Sequence, residues 1–188
     1  MNLSLTKNRA IFRKKPSVLM NNSGVLGERV ILKPTPIKGF SRNKVIYIPV
    51  DTPSEVIKKY LKKNAHRDMD TPLGHFFLHG DKVVLYRCVG APLAVVCLER
   101  LIVSGAREIF LLGYCGSLNP EFRIKNVVSI SKAFSEEGTS KQYFRRRKVF
   151  SSSAPLRKTV ERSLQDMKLS FLRGVTVSTD APYRETES

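Results

Sequence analysis

Short β-branched and aromatic runs alternate along the chain with stretches whose apolar residues recur every three to four positions. Residues 44–50 (KVIYIPV) have the composition of a strand, which ends at Asp51. Thr52, Pro53 and Glu55 then read as an N-cap, a first-turn proline and the far member of a capping box. They predict a helix to about Lys63, with Val56, Ile57, Tyr60 and Leu61 facing inward. Residues 64–71 read as a polar turn, and 74–78 and 82–88 as two strands around Gly80-Asp81, the second broken by Gly90. Val95, Leu98, Leu101 and Ile102 share helical spacing over 91–104, and Gly105 stops that helix. The continuously apolar run 108–112 (EIFLL) predicts a central strand covered on both faces, ending in Gly113-Tyr114-Cys115-Gly116. A strand at 127–130, a helix at 154–167 with Leu156, Val160 and Leu164 inward, and a strand at 174–178 complete the pattern. This order predicts an α/β fold with some parallel strands, layered helix-sheet-helix.

Composition narrows the picture. Of 188 residues, 41% are apolar and 26% charged, which excludes a wholly disordered chain and a fibre. Lys and Arg number 33 against 16 Asp and Glu, a formal charge of +17 that predicts attraction to anions rather than a fold. The excess is concentrated early: the first 45 residues hold ten Lys or Arg and one acid, Glu28. Residues 1–43 therefore read as a basic, poorly ordered leader, with a transit peptide or a nucleic-acid-binding arm as alternatives, and 44–188 as the folded domain. Lys58, Lys59, Lys62 and Lys63 fall on one side of a helix, the usual sign of a solvated face, and Arg145, Arg146, Arg147 and Lys148 form a second cluster. Cys88, Cys97 and Cys115 include no C-x-x-C pair and no histidine spaced for zinc, which argues against a disulfide scaffold or a structural metal. The longest apolar run, 91–103, is interrupted by Glu99 and Arg100 and is shorter than the roughly 20 residues of a membrane span.

Two turns carry candidate chemistry. Gly90 and Pro92 bracket a strand-to-helix turn, so that backbone N–H groups at 91–94 can meet an anion; a plain tight turn uses the same residues. Gly113 and Gly116 let the chain pass close to a ligand at the carboxyl end of a strand, where open α/β sheets place their sites. Cys115 between them also reads as a small buried hydrophobe, the commoner fate of an unpaired cysteine.

Three segments in order, VGAPLAVVCLERLIVSGAREIFLLGYCGSL (89–118), AFSEEGTSKQYF (133–144) and VSTDAPYRET (177–186), resemble the purine and uridine nucleoside phosphorylases, with the likeness spanning about 83–188. The resemblance implies their mixed-sheet fold and phosphorolytic cleavage of a nucleoside to base and ribose 1-phosphate, a pentosyltransferase reaction. Inorganic phosphate is its co-substrate, with no other cofactor and no metal. It assigns Gly90, Gly113 and Tyr114 to phosphate, and Cys115, Gly116, Asp180, Tyr183 and Arg184 to the nucleoside. Glu136, Glu137, Thr139 and Ser140 fall near the site or a subunit boundary. A cytoplasmic homo-oligomer, built from dimers into trimers or hexamers, is implied as well.

The sequence also departs from the family. Leu111 and Leu112 stand where an arginine commonly precedes the glycine loop, Tyr114 where a small hydroxyl residue is usual, and Leu93 where a serine follows the proline. Arg100 replaces a usual glutamate, with Glu99 beside it as a substitute. The family's Met-Glu ribose grip and the later base-protonating aspartate of purine members have no counterpart before Ser188. The expectation is a chain with its C-terminal elements missing and little phosphorolysis by itself. A noncatalytic basic module that binds nucleic acid or a partner chain is the alternative.

Overall fold

A computed structural model describes residues 31–50 and 55–184. The chain divides into two units, Met1–Lys33 and Pro34–Ser188, and the second is compact. Every element below belongs to the second unit, and the expected leader lies largely outside the described residues. The packed domain starts earlier than Lys44. Ile37 and Phe40 are core residues at 3% and 0% exposure. The Ile37 N–H donates to Ser104 Oγ at 2.8 Å and Arg100 Nε to the Thr35 carbonyl at 3.2 Å. The basic composition of 1–43 thus conceals a segment, 34–43, that is held by its few apolar residues.

A five-stranded sheet forms the first half of the domain. It contains β1 (Lys44–Ile48), β2 (Arg67–Thr71), β3 (Gly74–His79), β4 (Lys82–Tyr86) and β5 (Glu108–Leu111), in the order β2-β3-β4-β1-β5. β1 runs parallel to β4 and β5, whereas β2, β3 and β4 form an antiparallel meander. Period-two alternation separates its faces. Val45, Tyr47, Phe76, Leu78, Val83 and Leu85 pack with Cys97 and Leu101 of α2 (Ala91–Val103). Ile48, Phe77, Val84 and Tyr86 pack with Leu61 of α1 (Glu55–Asn64). One helix on each face gives the helix-sheet-helix layering expected.

The run 108–112 differs from expectation. β5 is an edge strand of this sheet, paired with β1, and Leu111 is 67% exposed. Continuous apolarity marks a strand covered on both faces only when partners lie on both sides, and among the described residues β5 has one. The supposed polar turn 64–71 contains β2. Its pattern, RDMDT, hides the strand because Asp68 and Asp70 are paid for locally: Asp68 lies 3.2 Å from His75 Nε2, and Asp70 pairs with Arg87.

The second half holds a three-stranded sheet, β7-β6-β8, from β6 (Val128–Glu136), β7 (Val149–Ser151) and β8 (Leu172–Thr179). β6 is parallel to β8 and antiparallel to β7. The register slips between Ile130 and Lys132, where Ser131 Oγ donates to the Gly174 carbonyl at 3.0 Å. Helix α4 (Ala154–Asp166) packs on β6, and its buried residue is Glu161, not one of the leucines of the apolar stripe. A short helix α3 (Thr139–Tyr143) links β6 to β7, and a 3-10 turn, Pro182–Arg184, follows β8.

Candidate functional site

Left-handed backbone makes the turn between β4 and α2. Arg87, Cys88 and Gly90 have φ of 64°, 50° and 92°, strain that only glycine adopts freely. Side chains hold the two non-glycine residues there. The Arg87 guanidinium donates to Asp70 and to the Thr71 carbonyl, and Tyr47 Oη donates to the Cys88 carbonyl at 2.6 Å. Burial raises the Tyr47 hydroxyl above its ordinary pKa, so it remains a donor. Beneath the turn the Cys88 and Cys97 thiols are both buried, and the neighbouring Cys97 thiol together with burial pushes the Cys88 thiol up. Gly90 caps α2 without a side-chain bond. Pro92 has no N–H, and that of Ala94 donates to the Gly90 carbonyl at 3.0 Å. Of the amides at 91–94, Ala91 and Leu93 are therefore the ones the first turn leaves for an anion.

Segment 136–143 is organised by Glu137. Glu137 is 4% exposed, and its carboxylate accepts hydrogen bonds from Ser135 Oγ at 2.8 Å and the Ser140 N–H at 3.1 Å. Burial opposes the charge, but these donors together lower its pKa. Glu137 is thus a structural clasp for α3 and is turned away from solvent. Glu136 is exposed and pairs with Lys148 at 3.5 Å. Asp180, at the end of β8, accepts the Gly138 N–H at 2.8 Å. Tyr143 lies beside Glu99 of α2; burial and that carboxylate's charge raise the phenol to about 12. Glu99 and Arg100 thus point to opposite neighbours, Glu99 to α3 and Arg100 to Thr35.

These contacts enclose an open cleft of about 540 Å³. It is lined by Pro92, Val95 and Val96 of α2, Gly138, Thr139, Gln142 and Tyr143, and Asp180. Residues from all three motif-bearing segments therefore meet here. Gln142 and Tyr143 escaped the sequence reading, although with Thr139 they have the i, i+3, i+4 spacing of one helix face.

The other candidates lie outside that cleft's lining. Leu112 donates its N–H to the Tyr47 carbonyl at 2.9 Å, and the loop beyond it leaves the sheet. Tyr114 is 81% exposed, Cys115 is exposed rather than a buried hydrophobe, and Gly116 has open space around its α-carbon. Tyr183 is fully exposed, and the Arg184 N–H closes the 3-10 turn on the Ala181 carbonyl at 2.9 Å. The 113–116 loop sits at the carboxyl end of β5 as expected, but on an edge strand. Among the described residues no group of His, Cys, Asp or Glu gathers to hold a metal ion, and no helix is long and apolar enough to cross a membrane.

Comparison with known proteins agrees with this architecture. The uridine phosphorylase of Thermococcus kodakarensis is 26% identical over 95 residues, half of this chain and 34% of the relative. Purine nucleoside phosphorylase of Toxoplasma gondii superposes with a TM-score of 0.64 at 15% identity, over 79% of this chain and 61% of that one. Futalosine hydrolase of Helicobacter pylori gives 0.60 at 14% identity, over 78% and 71%. The chain thus spans about a third of the curated relative and under two thirds of the first of these structures, and shares their mixed α/β fold. Residues 52–188 match the phosphorylase superfamily as a continuous stretch covering most of the chain, and the protein belongs to that superfamily.

Proposed function

We propose that the chain takes part in phosphorolysis of a nucleoside: phosphate attacks the anomeric carbon as the glycosidic bond breaks, giving free base and ribose 1-phosphate. The observation that carries this reading is the convergence of the three phosphorylase-like segments on one cleft, where Pro92, Thr139 and Asp180 meet. Such a reaction passes through an oxocarbenium-like sugar, so positioning and electrostatics supply most of the catalysis. The Gly90 turn, Gly113 and Tyr114 would hold phosphate through backbone donors, with the net charge of +17 drawing the anion in. Cys115 and Gly116 would contact the nucleoside, and Tyr183 and Arg184 would fold over its base. Asp180 acts through the Gly138 amide it holds, which makes it a positioning residue. Phosphate is the co-substrate, no other cofactor enters, and the working unit is a cytoplasmic homo-oligomer built on dimers.

A hydrolytic variant, with water in place of phosphate, is favoured by one observation, the likeness to a futalosine hydrolase. The test is to incubate the purified chain with uridine, inosine or adenosine, with and without phosphate, while calorimetry follows binding in the same samples. Base release that requires phosphate and yields equal ribose 1-phosphate supports phosphorolysis. Release of free ribose without phosphate assigns hydrolysis instead. Absence of both turnover and binding for every nucleoside overturns the proposal.

A further inference from the structure

Residues 129–163 carry nine Lys or Arg and three Glu, and all three carboxylates are already engaged. Glu136 pairs with Lys148, Glu137 clasps α3, and Glu161 is buried under Ser129 and Arg173. Lys132, Arg145 and Arg146 are exposed, and their side chains make no hydrogen bond or ion pair among the described residues. This charge collects at one place. β7 is the outer strand of its sheet, the 144–148 loop leads into it, and Lys132 stands in register with Ser151. The exposed hydroxyls of Ser151, Ser152 and Ser153 continue the same edge. Aromatic rings stand among the cations: Phe144 and Phe150 meet edge to face at 5.3 Å, and the Arg147 guanidinium lies 4.9 Å from the Phe150 centroid. Arg147 Nε also donates to the Val149 carbonyl at 2.9 Å, which fixes the planar group in place.

Like charges kept together without counter-ions repel, so a cluster of this kind is stabilised by an anion with several charges. Arginine forks match phosphate geometry, and a basic edge carrying stacked rings and guanidinium planes suits a strand whose bases are free to stack. We propose that the 144–148 loop and the β7 edge dock single-stranded nucleic acid. Lys132, Arg145 and Arg146 meet its phosphates, and the Arg147–Phe150 stack supports a base. The lysines of α1 differ: Glu55 in its first turn and Lys62 and Lys63 in its last follow the helix dipole, which explains them without a ligand.

That difference supplies the control. Fluorescence anisotropy of a labelled single-stranded oligonucleotide is measured with the full chain, with R145E/R146E, and with the charge-matched K58E/K59E. The three phosphate contacts give a log–log salt slope of about −2, since each contributes about −0.7 on a single strand. R145E/R146E is expected to weaken binding at least tenfold and to flatten the slope by about 1.4, while K58E/K59E retains most of both. If R145E/R146E melts early, R145Q/R146Q carries the same comparison. Equal loss in the two charge-matched variants, or binding whose affinity ignores salt, overturns the proposal. So does a clear preference for duplex DNA or for anionic vesicles over the single strand. None of these outcomes depends on nucleoside turnover.

Discussion

Glu161 is 5% exposed and still ionised because donors surround it: Arg173 through two nitrogens at 3.1 and 2.8 Å, and Ser129 Oγ at 2.9 Å. The Arg173 hydrogen bonds lead in holding its carboxyl at about 2, below the ordinary 4.5. A folded-state value below the unfolded one stabilises the fold fully above the unfolded pKa, and that stability is lost as pH falls through the folded one. Glu161→Gln, which keeps the shape without the charge, should melt below the parent near neutral pH. The gap should close as pH falls from about 4.5 to about 2. Thermal melts across that range check this, and a gap that persists at the acid end would assign the effect to shape. Ser104 serves another single-residue role, accepting the Ile37 N–H at 2.8 Å while donating to the Arg100 carbonyl at 2.7 Å. Ser104→Ala leaves that buried N–H unpaired, with an expected loss of about 1–3 kcal/mol in urea unfolding.

At the scale of elements, what the sequence revealed tracks where burial comes from. Val83, Val84 and Leu85 of β4, and Leu101 of α2, are buried by their own sheet and helix, and they belong to the apolar patterns that located both elements. β2 stayed hidden because cross-strand pairing, not apolarity, holds Asp68 and Asp70 in place. β7 is three residues long, too short for a period to appear. In the site, Gly90 and Asp180 were legible as motif residues, whereas Tyr143 depends on Glu99 from another helix, a contact no local spacing announces. The edge position of β5 changes a prediction. A central strand would be unfolded by Leu111→Asp, but at 67% exposure this change should shift stability by only about 0.5 kcal/mol. Leu85→Ala, in the centre of the same sheet at 0% exposure, should cost about 2–5 kcal/mol. Chemical denaturation of the two variants side by side tests the placement of both strands.

Over the whole molecule, two forces of opposite sign meet on the second sheet. Phe134 stands in register between Val149 on β7 and Val177 on β8, and all three are well exposed at 41%, 38% and 45%. An apolar patch running across three strands favours association, as large exposed patches generally do. The charge of +17 opposes it, because two approaching copies repel. Repulsion between exposed charges is screened over about 8 Å at physiological salt, whereas apolar contact is not weakened by screening. Self-association should therefore strengthen as salt rises, the reverse of nucleic-acid docking at the β7 edge. Phe134→Ser removes the middle of the patch with no change in charge, and should lower association at every salt concentration. Sedimentation velocity over a salt series separates the possibilities. Association that weakens with salt would mean that charge pairing joins the copies, and association indifferent to Phe134→Ser would place the contact on another surface.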